Sequence, residues 1–194
     1  MPDFIQDHTY FRAGLQELEA YLLSAELFWP LAGSADLPRL TIGGLMLAGK
    51  RLQARATSPA GQAELAELEG RLGIQRLRWG AVWERKARRE AHARLALWRD
   101  FLGDYQDSPE IQGDAYPEQV QSRVVLHLLG KDLPTPPPEY STLDVLDQLV
   151  RTAWLPGGFI WETDLAPAFP AAEYWFLYGK LRSSSIRSTH GRST

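Results

Sequence analysis

Three charged residues interrupt the apolar faces of two predicted helices and are the first candidates for a ligand site. Glu90 and Arg94 are four residues apart on one helix, close enough to bridge each other along its surface. Glu26 lies among the apolar positions of the first predicted helix. A buried charge without a partner is costly, so Arg94 is expected to pair with both glutamates.

The alternative is that this charged cluster lines a small-ligand cavity, or an enzyme site, between helices. Aromatic side chains would then form the walls of the cavity. The candidates for these walls are three tryptophans: Trp29, Trp83 and Trp98.

A row of arginines on the longest predicted helix, 74–105, is the second candidate site. At 3.6 residues per turn it lies opposite an apolar stripe that contains Trp83 and Trp98, and Lys86 falls on the arginine side. The row comprises Arg78, Arg85, Arg88, Arg89 and Arg99. Planar guanidinium groups can match successive phosphates, which makes nucleic acid or another polyanion a second alternative. A solvated or acid-paired face is favoured, because no aromatic residue is interleaved for base stacking and the pI is near 5.8.

Other motifs associated with phosphate binding, metal binding or catalysis are incomplete. The segment 44–51 matches G-x-x-x-x-G-K but lacks the Ser or Thr that a P-loop needs. The four histidines are scattered and cysteine is absent, so no metal site and no cofactor are predicted. Glu162 and Asp164 flank Thr163, but two acids beside a turn are usually solvated. We therefore assign no catalytic residue, and the sequence favours a protein that is not an enzyme.

Composition sets the broad class. The chain has 194 residues, of which 44% are hydrophobic and 23% charged, as in ordinary globular proteins. Asp3 and Asp7 stand where a signal peptide needs positive charge, and no apolar run approaches the roughly 20 residues of a membrane span. These features predict a cytoplasmic protein with no membrane partner.

Charge is unevenly distributed, although the net charge is only −3. Residues 71–99 carry nine basic and two acidic side chains, whereas residues 100–178 carry three and thirteen. The basic block can bind an acidic partner, or it can be neutralised by the acidic C-terminal segment of the same chain.

Apolar residues at helical spacing and abundant helix formers predict an all-α, single-domain bundle of about five to seven helices with little or no β structure. Thr41 and Ser58-Pro59 are predicted to begin the second and third helices. The first helix is expected to run from just after Asp7 to Trp29. A last helix, dense in aromatic residues, is predicted for 171–181.

The remaining segments are predicted to connect these helices. Residues 107–117 are expected to form a loop, and 159–163 an extended segment whose pairing is open. The single domain 1–181 would then consist of a bundle, 1–106, and a packed helical segment, 115–181, followed by a flexible basic, Ser-rich tail at 182–194.

The function favoured by these patterns is a non-catalytic interaction or scaffold protein. Aromatic residues are enriched at protein interfaces. The segment 174–178 is aromatic nearly all round, so it either inserts into the core or presents one side to a partner or a second copy. The partner would be another protein or a second copy of the chain. The two alternatives are the polyanion site on helix 74–105 and the small-ligand or enzyme site around Arg94.

Overall fold

The structure is a computed structural model that describes residues 2–32 and 36–182. The described part is mainly α-helical, with one small antiparallel sheet, which confirms the predicted fold class. Its helices are α1 (Phe4–Leu23), α2 (Ile42–Arg55), α3 (Pro59–Arg78), α4 (Gly80–Asp107), α5 (Pro109–Asp132) and α6 (Tyr140–Ala153). The strands are β1 (Trp154–Phe159) and β2 (Tyr178–Leu181), and two short 3₁₀ helices cover Thr163–Ala168 and Trp175–Leu177.

Side-chain caps fix the beginnings of the first three helices. The predicted caps of α2 and α3 are confirmed, because Thr41 accepts a hydrogen bond from Gly44 N and Ser58 accepts one from Gly61 N. The predicted start of α1 was wrong. Asp3 and Gln6 form a reciprocal capping box, so the helix begins at Phe4 and Asp7 is already inside it.

The end of α1 was also predicted wrongly, because the helix stops at Leu23 rather than at Trp29. The buried ammonium group of Lys86 donates hydrogen bonds to Glu26 O and to Ser24 Oγ, and it lies 4.2 Å from the centre of the Tyr21 ring. A cation is favoured at a helix C-terminus, where carbonyl groups lack helical partners. The helical spacing placed Lys86 on the solvated side of α4, and that prediction was wrong.

Replacing Lys86 with methionine is expected to lower the free energy of unfolding by about 1 kcal/mol. Hydrogen bonds from a charged donor are worth about 1.5–3 kcal/mol, and part of this is recovered because methionine has no ammonium group to desolvate. The cost of desolvating this ammonium group also lowers the pKa of Lys86 in the native protein. Urea unfolding measures the change. Arg85→Met, at the exposed neighbouring position, should change stability by less than about 0.5 kcal/mol, and an equal loss in both variants would contradict this account.

Two boundaries of the central helices differ from the prediction. The predicted helix 74–105 is divided at Trp79 between α3 and α4. The predicted loop 107–117 was wrong, because Pro109 occupies the first turn of α5 and Pro117 lies inside the same helix. The indole nitrogen of Trp161 donates to Pro117 O over 2.8 Å. The long interface between α4 and α5 is the centre of the core.

The aromatic segment near the C-terminus is not the predicted helix. β2 pairs antiparallel with β1, with Trp154 opposite Leu181 and Pro156 opposite Gly179. Gly179 has φ 154°, and a Cβ there would lie 2.3 Å from Leu155 O, so the close strand contact requires glycine. β1 lies almost entirely before the predicted extended segment 159–163 and shares only Phe159 with it.

The aromatic side chains of this segment point into the protein. Tyr174 and Phe176 are fully buried, and Tyr178 and Trp175 are half-buried. They form part of the core, which is one of the two arrangements that the sequence left open, and they do not form an exposed contact patch. The described chain ends beside the core, where Tyr105 Oη donates to Arg182 O over 2.6 Å. The predicted tail beyond Arg182 lies outside the described residues.

Candidate functional site

The orientation of α4 agrees with the sequence prediction. Trp83 and Trp98 are buried, whereas Arg85 and Arg89 are exposed. The apolar stripe of this helix therefore faces the core.

Most of the predicted arginine row is engaged by groups of the same chain. Two of its arginines pair with acids of their own helix, Arg88 with Glu84 and Arg99 with Asp100. Another, Arg78, reaches Glu19 of α1 over 3.5 Å. Arg89 donates to Ala25 O over 3.1 Å.

The predicted charged cluster forms only in part. The Nε and Nη2 atoms of Arg94 lie 3.3 Å from Glu90 Oε1, so these two residues bridge each other as expected. Glu26 does not join them, because it is exposed in the loop after α1 and contacts α4 through its backbone carbonyl.

The three tryptophans do not surround this cluster. The indole of Trp29 donates to Glu17 Oε2 over 2.6 Å, and that of Trp83 donates to Asp132 Oδ2 over 2.8 Å. Trp98 packs against Phe101, with ring centres 5.5 Å apart. The single cavity walled by all three indoles is therefore not formed.

A groove of about 460 Å³ lies beside Trp83, but its polar groups are already paired. Asp132 accepts from the Trp83 indole and forms an ion pair with Arg76 over 2.7 Å. This groove offers a ligand few free donors or acceptors. A smaller pocket beside Arg94 is a better candidate.

Glu90 connects Arg94 to the beginning of α2. Its Oε2 atom accepts a hydrogen bond from Gly43 N over 2.7 Å, although the carboxylate is fully buried. A Cβ on Gly43 would lie 2.3 Å from Val125 Cγ1 and 2.9 Å from Glu90 Oε1. Glycine thus lets α2 approach α4 and α5 closely enough for an acid of α4 to satisfy its first turn.

The candidate site is a pocket of about 170 Å³ between α1, α2, α4, α5 and the loop before α2. We call it the arginine pocket. Its principal donors and acceptors are Tyr10, Arg39, Thr41, Arg51, Arg94 and Gln121, with Asp7 and Asp36 also in its lining.

One side of the arginine pocket is a buried ion-pair network. Asp7 Oδ2 lies 2.9 Å from Arg51 Nε, and Asp7 Oδ1 lies 2.6 Å from Arg51 Nη2. Arg55 Nη1 adds a further contact to Asp7 Oδ2 at 3.2 Å. Burial raises the pKa of the Asp7 carboxyl, and the hydrogen bond from Arg51 opposes that shift.

The remaining nitrogen of Arg51 is unsatisfied, as are a few other buried polar atoms of the described residues, among them Arg123 Nη1 and Trp98 Nε1. Arg51 is only 5% exposed, and its Nη1 atom has no hydrogen-bond partner among the described residues. A buried donor without an acceptor costs about 1–3 kcal/mol, so such groups are rare in folded proteins.

Tyr10 and Arg94 supply further donors to the arginine pocket. Tyr10 Oη donates to Arg39 O over 3.3 Å and accepts from Thr41 N over 3.4 Å, both long for hydrogen bonds. Burial raises the pKa of Tyr10 well above its ordinary value, so the hydroxyl keeps its proton. Arg94 is 17% exposed and is held by only one oxygen of Glu90.

The sequence prediction missed Asp7, Tyr10 and Arg51. A signal for two of them exists in α1: Asp7 precedes Tyr10 and Phe11 by three and four residues, so all three share the buried face. Asp7 was interpreted as a helix cap, which placed it outside that face. The pairing of Asp7 with Arg51 joins positions 44 residues apart and has no local signal.

The described residues contain no group of three or more His, Asp or Glu that could hold a metal ion. Within the same ranges, no helix is long and apolar enough to cross a membrane. Comparison of the chain with protein-family models, curated proteins and solved structures finds no match.

Proposed function

We propose that this protein binds a small anionic ligand, a carboxylate or a phosphate compound, in the arginine pocket. This develops the small-ligand alternative from the sequence, but it replaces Glu26 and the tryptophans with Tyr10, Arg39 and Arg51. Arg94 is common to both versions.

The observation that carries the proposal is the unsatisfied Nη1 atom of the buried Arg51 side chain. An oxygen of a bound anion would accept its hydrogen bond and remove the cost of leaving it unpaired. Guanidinium groups match planar carboxylates and phosphates well, because their donors lie in one plane.

The other lining residues favour the same ligand class. Three arginines and two aspartates line the arginine pocket, and Asp7 is already neutralised by Arg51 and Arg55. The hydroxyl of Tyr10 and the amide of Gln121 add neutral groups that can orient a ligand. A volume of about 170 Å³ suits a small molecule and not a polymer.

Two features make this function preferable to the others predicted. Four arginines of the predicted row, Arg78 at the end of α3 and Arg88, Arg89 and Arg99 of α4, already contact acids or a carbonyl of the chain, so the row has few free donors for a polyanion. The aromatic segment 174–178 is mostly buried, so it offers little surface to a partner. The arginine pocket instead has a buried donor that needs an acceptor.

Thermal unfolding with inorganic phosphate, citrate and succinate tests the proposal. A ligand at about 100 times its Kd stabilises the folded state by about 2.7 kcal/mol, which for a domain of this size raises Tm by roughly 5–10 °C. We expect at least one probe to raise Tm in this way. The variant Arg94→Gln should reduce the increase. Because it also removes the counter-ion of the buried Glu90, the increase of each variant is measured against its own Tm without ligand.

Arg89→Gln is the matched control, because Arg89 is an exposed arginine of the same helix outside the arginine pocket. It should bind the probe as the original protein does. If no probe changes Tm, or if Arg94→Gln and Arg89→Gln weaken binding equally, the proposed function is wrong.

A further inference from the structure

The face of α3 that points away from the core is apolar. Leu65 and Leu68 are the buried residues of this helix. On its opposite side, Leu77 is 87% exposed and Ile74 is 66% exposed. We call this side the outward face of α3 and define it as Ala63, Ala66, Gly70, Ile74 and Leu77, all exposed.

The spacing of these residues is that of a helix-packing seam. At 3.6 residues per turn, all five lie within about 40° of one line along the helix. A solvated helix usually presents charged residues at such positions. The small residues at the middle of the seam would allow another helix to approach closely.

The order of large and small residues along the outward face is complementary to itself in the antiparallel direction. Gly70 is at the centre: Ala66 and Ile74 lie four residues to either side of it, and Ala63 and Leu77 lie seven to either side. In an antiparallel pair centred on Gly70, each large side chain is therefore level with an alanine of the other copy. This is the self-complementary pattern that a two-fold interface requires.

The charged residues beside the seam are also complementary when two copies of the helix are antiparallel. Glu67 and Arg71 are exposed on one flank, and neither forms an ion pair with another described residue. When two copies of α3 pair antiparallel about Gly70, Glu67 of one copy lies about 3 Å along the axis from the level of Arg71 of the other.

We infer that the outward face of α3 binds the same face of a second copy of this chain, with the two helices antiparallel and crossing near Gly70. The interface consists of one helix pair, so it is small and dimerisation depends on protein concentration. This inference concerns a different surface from the arginine pocket and does not rest on the ligand proposed there.

Sedimentation of the full chain over a range of concentrations tests the association. We expect a reversible monomer–dimer equilibrium that Leu77→Glu abolishes. Ile111→Glu is the matched control, because Ile111 is 73% exposed on α5, away from this face. Circular dichroism verifies that each variant is folded. A chain that stays monomeric at every concentration, or a dimer that Leu77→Glu leaves intact, overturns the inference.

Charge exchange tests the antiparallel register. Glu67→Arg places like charges at two symmetric contacts and is expected to weaken the dimer about tenfold. Adding Arg71→Glu restores opposite charges at both contacts and should recover the original affinity. If the double variant is as weak as the single one, the antiparallel arrangement is wrong.

The absence of cysteine permits a direct crosslinking test. A cysteine introduced by Gly70→Cys would face its own copy at the two-fold axis, within the reach of a disulfide bond. We expect oxidation to link Gly70→Cys chains into dimers much faster than Gly103→Cys chains. Gly103 is an exposed helical glycine with open space around it, away from α3. Equal rates for the two variants would overturn the inference.

Discussion

Asp7→Ala is expected to lower the free energy of unfolding by about 3–5 kcal/mol, because it removes one partner of a buried ion pair. Asp7 is 1% exposed and accepts three hydrogen bonds from Arg51 and one from Arg55. Its removal leaves the guanidinium of Arg51 buried without a counter-ion. Such a charge costs more than the original pair, because the low-dielectric interior solvates it poorly and Asp7 no longer compensates it.

A double substitution separates the interaction between the two charges from the cost of burying each one. Asp7→Ala with Arg51→Met removes both charges and keeps most of the arginine's volume, so it should be clearly more stable than Asp7→Ala alone. Urea unfolding of the two single variants and the double variant measures the coupling. A double variant whose loss equals the sum of the two single losses would show that the charges act independently.

The double substitution also connects stability to the proposed ligand. It removes Arg51, whose Nη1 atom carries the argument for the arginine pocket. A folded double variant should therefore lose the increase in Tm that phosphate or a carboxylate causes in the original protein. Asp132→Asn is a suitable comparison, since it disturbs the contacts of Asp132 with Arg76 and Trp83 outside that pocket.

Gly43→Ala is expected to lower the free energy of unfolding by about 2–3 kcal/mol. The added methyl group would overlap Val125 Cγ1 at 2.3 Å and crowd Glu90 Oε1 at 2.9 Å. Overpacking of this kind costs about 1–3 kcal/mol, and movement of Glu90 would also weaken its hydrogen bond to Gly43 N. The loss should appear both in urea unfolding and as a lower Tm.

Gly103→Ala is the control for this substitution. Gly103 lies inside α4, is exposed, and has open space where a Cβ would be built. Alanine is favoured over glycine inside a helix, so this variant should be more stable by about 0.5–1 kcal/mol. The two substitutions are chemically identical, and opposite signs would isolate the steric effect at Gly43. A stabilised Gly43→Ala variant would be incompatible with the close approach of α2 to α4.

Some parts of the structure could be predicted because their causes are local. Thr41 and the Ser58-Pro59 pair cap the helices that they were expected to cap. The periodicity of α4 correctly oriented Trp98 and Arg85, because a helix with one apolar face buries that face. The bridge between Glu90 and Arg94 is also local, since the two residues are one turn apart.

Other predictions failed where a distant contact changes the local preference. Residues 171–181 have helical composition in part, yet β2 forms because its backbone pairs with β1 and Gly179 fits against Leu155 O. Lys86 is polar by type, yet it is buried because the carbonyl after α1 and the Tyr21 ring compensate its charge. Neither partner can be recognised from the neighbouring residues.

The sequence by itself determined the fold class, the caps of α2 and α3 and the inward face of α4, because these depend on residues within a few turns of one another. The arginine pocket was decided by tertiary structure. It requires Asp7 of α1, Arg51 of α2 and Arg94 of α4 to meet, and it leaves one guanidinium nitrogen without an acceptor. A buried charge is stable only where other helices supply its counter-ion, so the packing of those helices selects which charged residues form the site.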